Sequence, residues 1–432
     1  MQKQGKKIMS KRSSKWMMGL IMAALTALII QPLFDAGVVA ADETIKIGCF
    51  FPLTGRAGRA GADGVAAATI AVEEINKKGG VLGKKFELLV TDDKSDPAYA
   101  VRVARRYITS DKVNFLMGTV SSAVALAVSE VAKENKVIFI CTGAASSRIT
   151  IQKWHPYVFN TCSITTWASR AGAFLAQKKP EWKKYWSICP DYEYGHTLSE
   201  EFFPFLKKMR SDVELVGESW PKLFEPDYSP YITAILKARP DVVFGGFWGG
   251  DSVAFIKQAI PYGFFEKVKF LAPDSTGQYE LFETMKESMP AGLILGSHCH
   301  LNFPDTQVNK EHIKKLQEKL GRYPIANITP HCEAGVKMLA RAIEKVGSVK
   351  KTEALIKAME GMKIITPLDP PGYTSWIRPL THNLVYPYAI GISEKNDKYP
   401  PAKYMLGNFE VFSPEKIDLS DEEVVQLRAT PK

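Results

Sequence analysis

The chain is 432 residues long, 46% hydrophobic and 24% charged, with a formal net charge of +10. Such a length exceeds what one hydrophobic core usually organises, so two domains are expected. Half of the charge is local: residues 1–40 hold six Lys or Arg and one acid, and the remaining 50 basic against 45 acidic residues leave +5. Mild and evenly spread, that balance excludes a polybasic nucleic-acid surface.

The basic residues of the leader run from Lys3 to Lys15, an apolar stretch follows from Trp16 to about Ile30, and small residues gather at Val38, Val39, Ala40 and Ala41. This is the pattern of a secretory signal peptide over 1–40. Gln31, Pro32 and Asp35 interrupt the apolar stretch, which stops short of the roughly 20 residues a spanning helix needs. No Cys follows closely enough for lipid attachment, so a soluble periplasmic mature protein is expected.

From residue 44 onward short apolar runs alternate with amphipathic helices. A strand is predicted over 44–51. Val65, Ala68, Val72 and Ile75 then recur at helical spacing, ended by Lys77-Lys78-Gly79-Gly80. Strands over 86–90, 115–118 and 137–141 alternate with helices marked by Val101, Ala104 and Ile108, and by Val124, Val128 and Val131. After Asn160 the rhythm restarts, with strands over 185–189, 213–216, 242–246 and 269–271 and helices over 195–209, 228–237 and 251–262. Buried runs separated by helices of this length mean βαβ units and parallel sheets, hence two successive α/β halves. The stretch 367–404 is rich in Pro, Tyr and Gly and reads as loops and short strands that cross or cap a sheet. Cys49, Cys141, Cys162, Cys189, Cys299 and Cys332 include no CxxC pair, and several lie in apolar strand-like runs where a buried free thiol is the plain reading.

In open α/β sheets ligands bind beyond the carboxyl ends of the strands. That rule selects the loops 51–63, 118–122, 142–147, 190–195, 246–251 and 273–277, each with the small, hydroxyl, aromatic or acidic residues a polar ligand site uses. The loop Gly55–Gly61 has a glycine at every third position but neither spacing of a nucleotide-binding loop. Its Arg56 and Arg59 either fork onto a carboxylate or are solvated charges.

The segment IKIGCFFPLTGRAGRAG, the later AVEEINKKGGVLGKKFELLVTDDKSDPAYAV, and then GTVSSAVALAV, FICTGAASSRIT, PDYEYGHTL and FLAPDS stand in fixed order. Together they resemble the branched-chain amino-acid (leucine/isoleucine/valine) binding-protein family of ABC transporters, from about residue 45 to beyond 382. The resemblance implies two α/β lobes joined by three hinge crossings, near 160, 296–300 and 372–382. One lobe would comprise 42–160 plus 297–375 and the other 161–296 plus 376–432. It also implies a monomer without a cofactor or enzymatic activity, which closes over a small-molecule ligand by hinge motion and delivers it to ABC transporter permease subunits.

The same resemblance assigns residues. Ser122, with Ser121 beside it, receives the ligand carboxylate at a helix N-terminus, where free N–H groups and the helix dipole favour an anion; a plain N-cap is the alternative. Gly143, Ala144 and Ala145 form the next contact loop. Ala145 stands where amino-acid-binding members often carry Thr or Ser, so the hydroxyl would come from Ser146 or Thr142. Tyr194 packs on the ligand, and Phe247 or Trp248 fills a second aromatic position. Asp274 receives the ligand ammonium, or else caps a turn. Ser95 and Ser121 occupy positions that form a disulfide in some members, so that bridge is absent. Trp167 either faces the cleft or lies in the core.

Three other readings compete. His298, Cys299, His300, His331 and Cys332 are metal-capable but lack a familiar zinc spacing. An exported enzyme finds no GxSxG elbow or HExxH helix to support it. A receptor for a sensor system differs from a transport protein only in its docking surface. The ligand expected is a neutral amino acid or, given the small Ala60 and the aromatic Phe247, Trp248, Trp167 and Tyr194, an aromatic acid.

Overall fold

In the computed structural model, which describes residues 44–430 except 326, apolar strand residues are buried on both faces of two sheets. The signal-peptide reading of 1–40 lies outside the described residues. In β1 (Ile45–Phe51) Ile45, Ile47, Cys49, Phe50 and Phe51 are all fully buried, as expected of a central parallel strand with helices on both sides. It pairs in parallel with β2 (Phe86–Asp92) and β3 (Phe115–Gly118), and β4 (Phe139–Cys141) and β5 (Val158–Asn160) complete the order β2-β1-β3-β4-β5. The intervening helices are α1 (Gly58–Lys77), α2 (Pro97–Thr109) and α3 (Ser122–Asn135). The start of α2 follows from local chemistry: the Asp96 side chain accepts from the Tyr99 N–H at 3.0 Å and Pro97 opens the first turn.

The chain then enters a second sheet. α4 (Thr165–Gln177) leads to β6 (Lys184–Ile188), α5 (Glu193–Met209), β7 (Glu214–Ser219), α6 (Ser229–Ala238), β8 (Val242–Gly245), α7 (Gly249–Ala259), β9 (Lys269–Ala272), α8 (Tyr279–Met285) and β10 (Ile294–Gly296). Within this set of five strands every pairing is parallel. Aromatic packing fills this half: Phe202 stacks on Phe244 at 4.0 Å and Phe255 on Phe247 at 4.6 Å between centroids.

After β10 the chain returns to the first half. α9 (Gln307–Leu320) and α10 (Thr329–Val346) pack against α1, with Lys315 and Lys319 paired to Glu74 and Glu73 at 2.7 Å. Next come α11 (Thr352–Met359) and a small antiparallel sheet of β11 (Lys363–Ile364), β12 (Ser375–Ile377) and β13 (Leu384–Val385). The sequence reading assigns no element between 297 and 366, where these three helices lie. Its boundary at 375/376 cuts through β12. The structure instead keeps 375–385 together beside the first sheet: Asn383 bridges to Asn160 of β5, and the His382 ring stacks on Phe159 at 4.1 Å. The final passage runs to β14 (Tyr388–Lys395), which joins β10 antiparallel and pairs with β15 (Tyr404–Phe412). The second sheet is therefore mixed, β15-β14-β10-β9-β8-β6-β7. Among the described residues no helix is long and apolar enough to cross a membrane.

Candidate ligand-binding site

Between the two sheets, at the carboxyl ends of their parallel strands, lies a small, narrow cavity. Val120, Ser122, Gly143 and Ala145 line it from the first half; Tyr192, Tyr194, Trp248 and Ser275 line it from the second. His298 and Asn327, on the returning chain, complete the wall.

Three helices begin at this cavity. Ser121, Tyr192 and Trp248 are the N-caps of α3, α5 and α7, and none makes a side-chain capping hydrogen bond. Each helix start thus keeps orphan N–H donors that an anion can satisfy, with the dipole in its favour. Ser121 does not act as the side-chain cap that was the alternative reading. Ser122, the first residue of α3, accepts the Ser146 N–H at 3.2 Å, which leaves its hydroxyl proton free to donate. Gly143 has no substitute: a Cβ there would meet Ile328 Cδ1 at 2.7 Å and the Thr119 carbonyl oxygen at 2.9 Å. The rings are fixed by one another, since Trp248 Nε1 donates to the Tyr192 hydroxyl at 2.8 Å and Tyr192 sits 6.0 Å from Tyr194. Asn327 Oδ1 accepts from Ser297 Oγ at 3.0 Å and the His298 N–H at 3.3 Å, so its NH₂ end is the donor left for a ligand.

Other expected residues lie elsewhere. Ala144 belongs to the core behind the first sheet. Ser146 donates to Glu193 Oε1 at 2.7 Å, across the cavity mouth. Phe247 is a core residue on Phe255, whereas its neighbour Trp248, the N-cap of α7, lines the cavity. Trp167 does not face the cavity; it is fully buried, with Nε1 donating to Asp418 at 2.9 Å and its ring against Tyr386. Arg59 is committed to Glu283 and to the Tyr323 carbonyl, so it has no fork to offer a ligand.

Asp274 is fully buried but is not part of the cavity wall. Its Oδ1 lies 3.0 Å from His298 Nε2 and accepts from the Tyr388 hydroxyl at 3.2 Å. Burial opposes its charge, yet the adjacent His298 and the Ser275 N–H hold the carboxyl below its usual range. His298 also approaches Ser275 Oγ at 2.6 Å and, through Nδ1, Cys162 Sγ at 2.9 Å. The thiol of Cys162 is pushed up by burial.

Contacts on both flanks hold the halves together over the cavity. Arg56 Nη1 donates at 2.8 Å to Asp251 Oδ1 and at 2.8 Å to the Glu225 carbonyl. Gly250 permits this approach, because a Cβ there would meet Arg56 Cβ at 3.0 Å. On the other flank Arg148 pairs with Glu193 at 3.1 Å and Glu200 at 2.6 Å, and Ser147 donates to Glu201. All six cysteines are buried and none forms a disulfide. Among the described residues no three His, Cys, Asp or Glu side chains are grouped to hold a metal ion.

The geometry meets its match in known proteins. Residues 44–397 match the family model described as periplasmic binding protein. The chain belongs to this family. A Leu/Ile/Val-binding protein of Rhizobium johnstonii is 26% identical over 80% of this chain and 91% of its own length. The leucine-, isoleucine-, valine-, threonine- and alanine-binding protein of Pseudomonas aeruginosa is 25% identical, covering 77% and 86%. A solute-binding protein of an ABC transporter from Rhodopseudomonas palustris, solved with 3,4-dihydroxybenzoic acid, is 26% identical with a TM-score of 0.77, over 86% of this chain and 99% of that one. These relatives bind solutes, and the periplasmic binding protein described here is likewise not an enzyme.

Five wall residues escape the sequence reading. Tyr192 and Ser275 neighbour selected residues in loops the strand-end rule had already marked. Val120 is the apolar residue before the selected serines. His298 carries a signal, but one that reads as metal or hinge. Asn327, in the loop before α10, has none.

Proposed function

We propose that the protein is the substrate-binding component of an ABC importer. Exported through a cleaved leader over 1–40, it captures a small amphipathic carboxylate between two lobes and presents the closed form, as a monomer, to a membrane permease. We assign 44–160 plus 297–385 to one lobe and 161–296 plus 386–430 to the other. The observation that carries the reading is the cavity itself: three helix N-termini without side-chain caps and the Ser122 hydroxyl meet aromatic walls in one cleft. An anionic head with an apolar body is the ligand such a wall complements. Relatives named for branched-chain amino acids and one solved with a dihydroxybenzoic acid fall within that class.

The test is a thermal-shift screen of the mature, ligand-stripped protein against amino acids, aromatic acids and other small carboxylates. A ligand at about a hundred times its dissociation constant adds roughly 2.7 kcal/mol of stability. A saturable upward shift with one class, lost in Trp248→Ala, is expected. Absence of a shift with every carboxylate contradicts the reading.

A further inference from the structure

Carboxylate capture leaves open what the rest of the ligand carries, and the surroundings of Asp274 bear on it. An α-amino acid brings an ammonium group, and a buried ammonium needs an anionic partner in hydrogen-bonding reach. No Asp or Glu is among the residues of the cavity wall. Glu193, between Tyr192 and Tyr194 in the chain, is engaged by Ser146 and Arg148, and Asp274 lies behind His298, which is itself part of the wall. Its Oδ1 is taken by His298 Nε2 at 3.0 Å and the Tyr388 hydroxyl at 3.2 Å. Its Oδ2 is buried without a hydrogen-bond partner, outside the wall. Toward the cavity, the groups presented are instead suited to a carboxylate and to a flat body. Ser122 offers its hydroxyl, and Tyr192, Tyr194 and Trp248 offer ring surfaces.

We propose that this cleft selects a carboxylate without an amino group, an aromatic monocarboxylate, and that His298 sets the selectivity by occupying Asp274. The inference rests on the cavity being the ligand site. His298 acts here as a specificity determinant: it converts an acid that would receive an ammonium into an internal pair, and it presents its own ring edge to the ligand. Cys162 and Ser275 hold that ring in place, at 2.9 Å and 2.6 Å from its two nitrogens.

Calorimetric titration of the mature, ligand-stripped protein with matched acids tests this, using 3-phenylpropanoate against phenylalanine and 4-methylpentanoate against leucine. Within each pair only the amino group differs. The acid lacking it is expected to bind at least about tenfold more tightly. In His298→Gln and His298→Asn, checked for folding by thermal melts, the gap is expected to narrow by at least about tenfold as Asp274 becomes available. Equal or tighter binding of the amino acids by the unaltered protein overturns the proposal, placing the ammonium on Asp274 Oδ2, and leaves carboxylate capture standing. An unchanged gap in both folded variants removes His298 from the role. Failure of all four acids and of benzoate to bind contradicts carboxylate capture and this inference together.

Discussion

Truncating Arg56 to alanine tests whether closure over the cavity is held by charge. Arg56 is not among the wall residues of the cavity, yet it spans the two halves with bonds of 2.8 Å to Asp251 and to the Glu225 carbonyl. Asp251 is 1% exposed, and its Oδ2 accepts from the Phe224 N–H at 2.8 Å. Burial pushes the Asp251 carboxyl up against the pull of Arg56 and that N–H, so the closed form needs its cationic partner. Without Arg56 the closed form holds a buried Oδ1 lacking its charged donor, whereas water solvates the same atom once the lobes part. A hydrogen bond to a charged group contributes about 1.5–3 kcal/mol. The Arg56 side chain is 34% exposed, which argues for the low end, about 1.5 kcal/mol or roughly tenfold in dissociation constant. Titration calorimetry with the acid found by screening measures it. Combining Arg56→Ala with Asp251→Ala should then cost less than the two losses added, by at least about 0.5 kcal/mol. An Arg56→Ala constant within about twofold of the unaltered protein, or strict additivity in the double variant, refutes the latch.

Other expectations concern the wall and its surroundings. Ser122→Ala should weaken binding by about 1–2 kcal/mol, the loss of a charged hydrogen bond; an unchanged constant removes Ser122 from the site. Gly250→Val should lower affinity while leaving the melting temperature of the ligand-free protein unchanged, because the new side chain collides with Arg56 Cβ only when the flank is closed; undiminished affinity contradicts the close approach. Glu280 is pushed by burial from 4.5 up to about 7, against the pull of Arg59. A raised carboxyl costs the fold nothing below its unfolded value, and the cost grows as pH rises from about 4.5 to 7, reaching about 3 kcal/mol at most. Glu280→Gln should therefore stabilise the protein at pH 8 and not at pH 4.5, by urea melts at the two values; equal effects at both contradict the assignment.

Sequence reasoning reached the architecture through the parallel strands, whose buried runs and C-terminal loops follow directly from local patterning. The strand-end rule led to the loops that carry Ser122, Gly143, Ala145, Tyr194 and Trp248, all of which line the cavity. It stopped where a property depends on partners distant in the chain. Phe247 and Trp248 are adjacent and both aromatic, and the turn from β8 into α7, not a local period, decides which faces the cavity. Arg59 is loop-like in sequence and becomes committed only because Glu283 arrives from α8. Asp274 looks like a free acid until His298 is folded against it. The helices after β10 were legible in principle, since Val336, Leu339, Ala340 and Ile343 keep helical spacing along α10. The small sheet of β11 to β13 was not, since its strands of two or three residues are too short to show a period.

A crystal structure of the mature protein with the acid that gives the largest thermal shift tests the central claim most directly. The account predicts the ligand enclosed between the lobes, its carboxylate on the Ser122 hydroxyl and the start of α3, its body against Tyr192 and Trp248, and Arg56 on Asp251. A ligand bound outside this cavity, or held in it with its carboxylate turned away from α3, would contradict it.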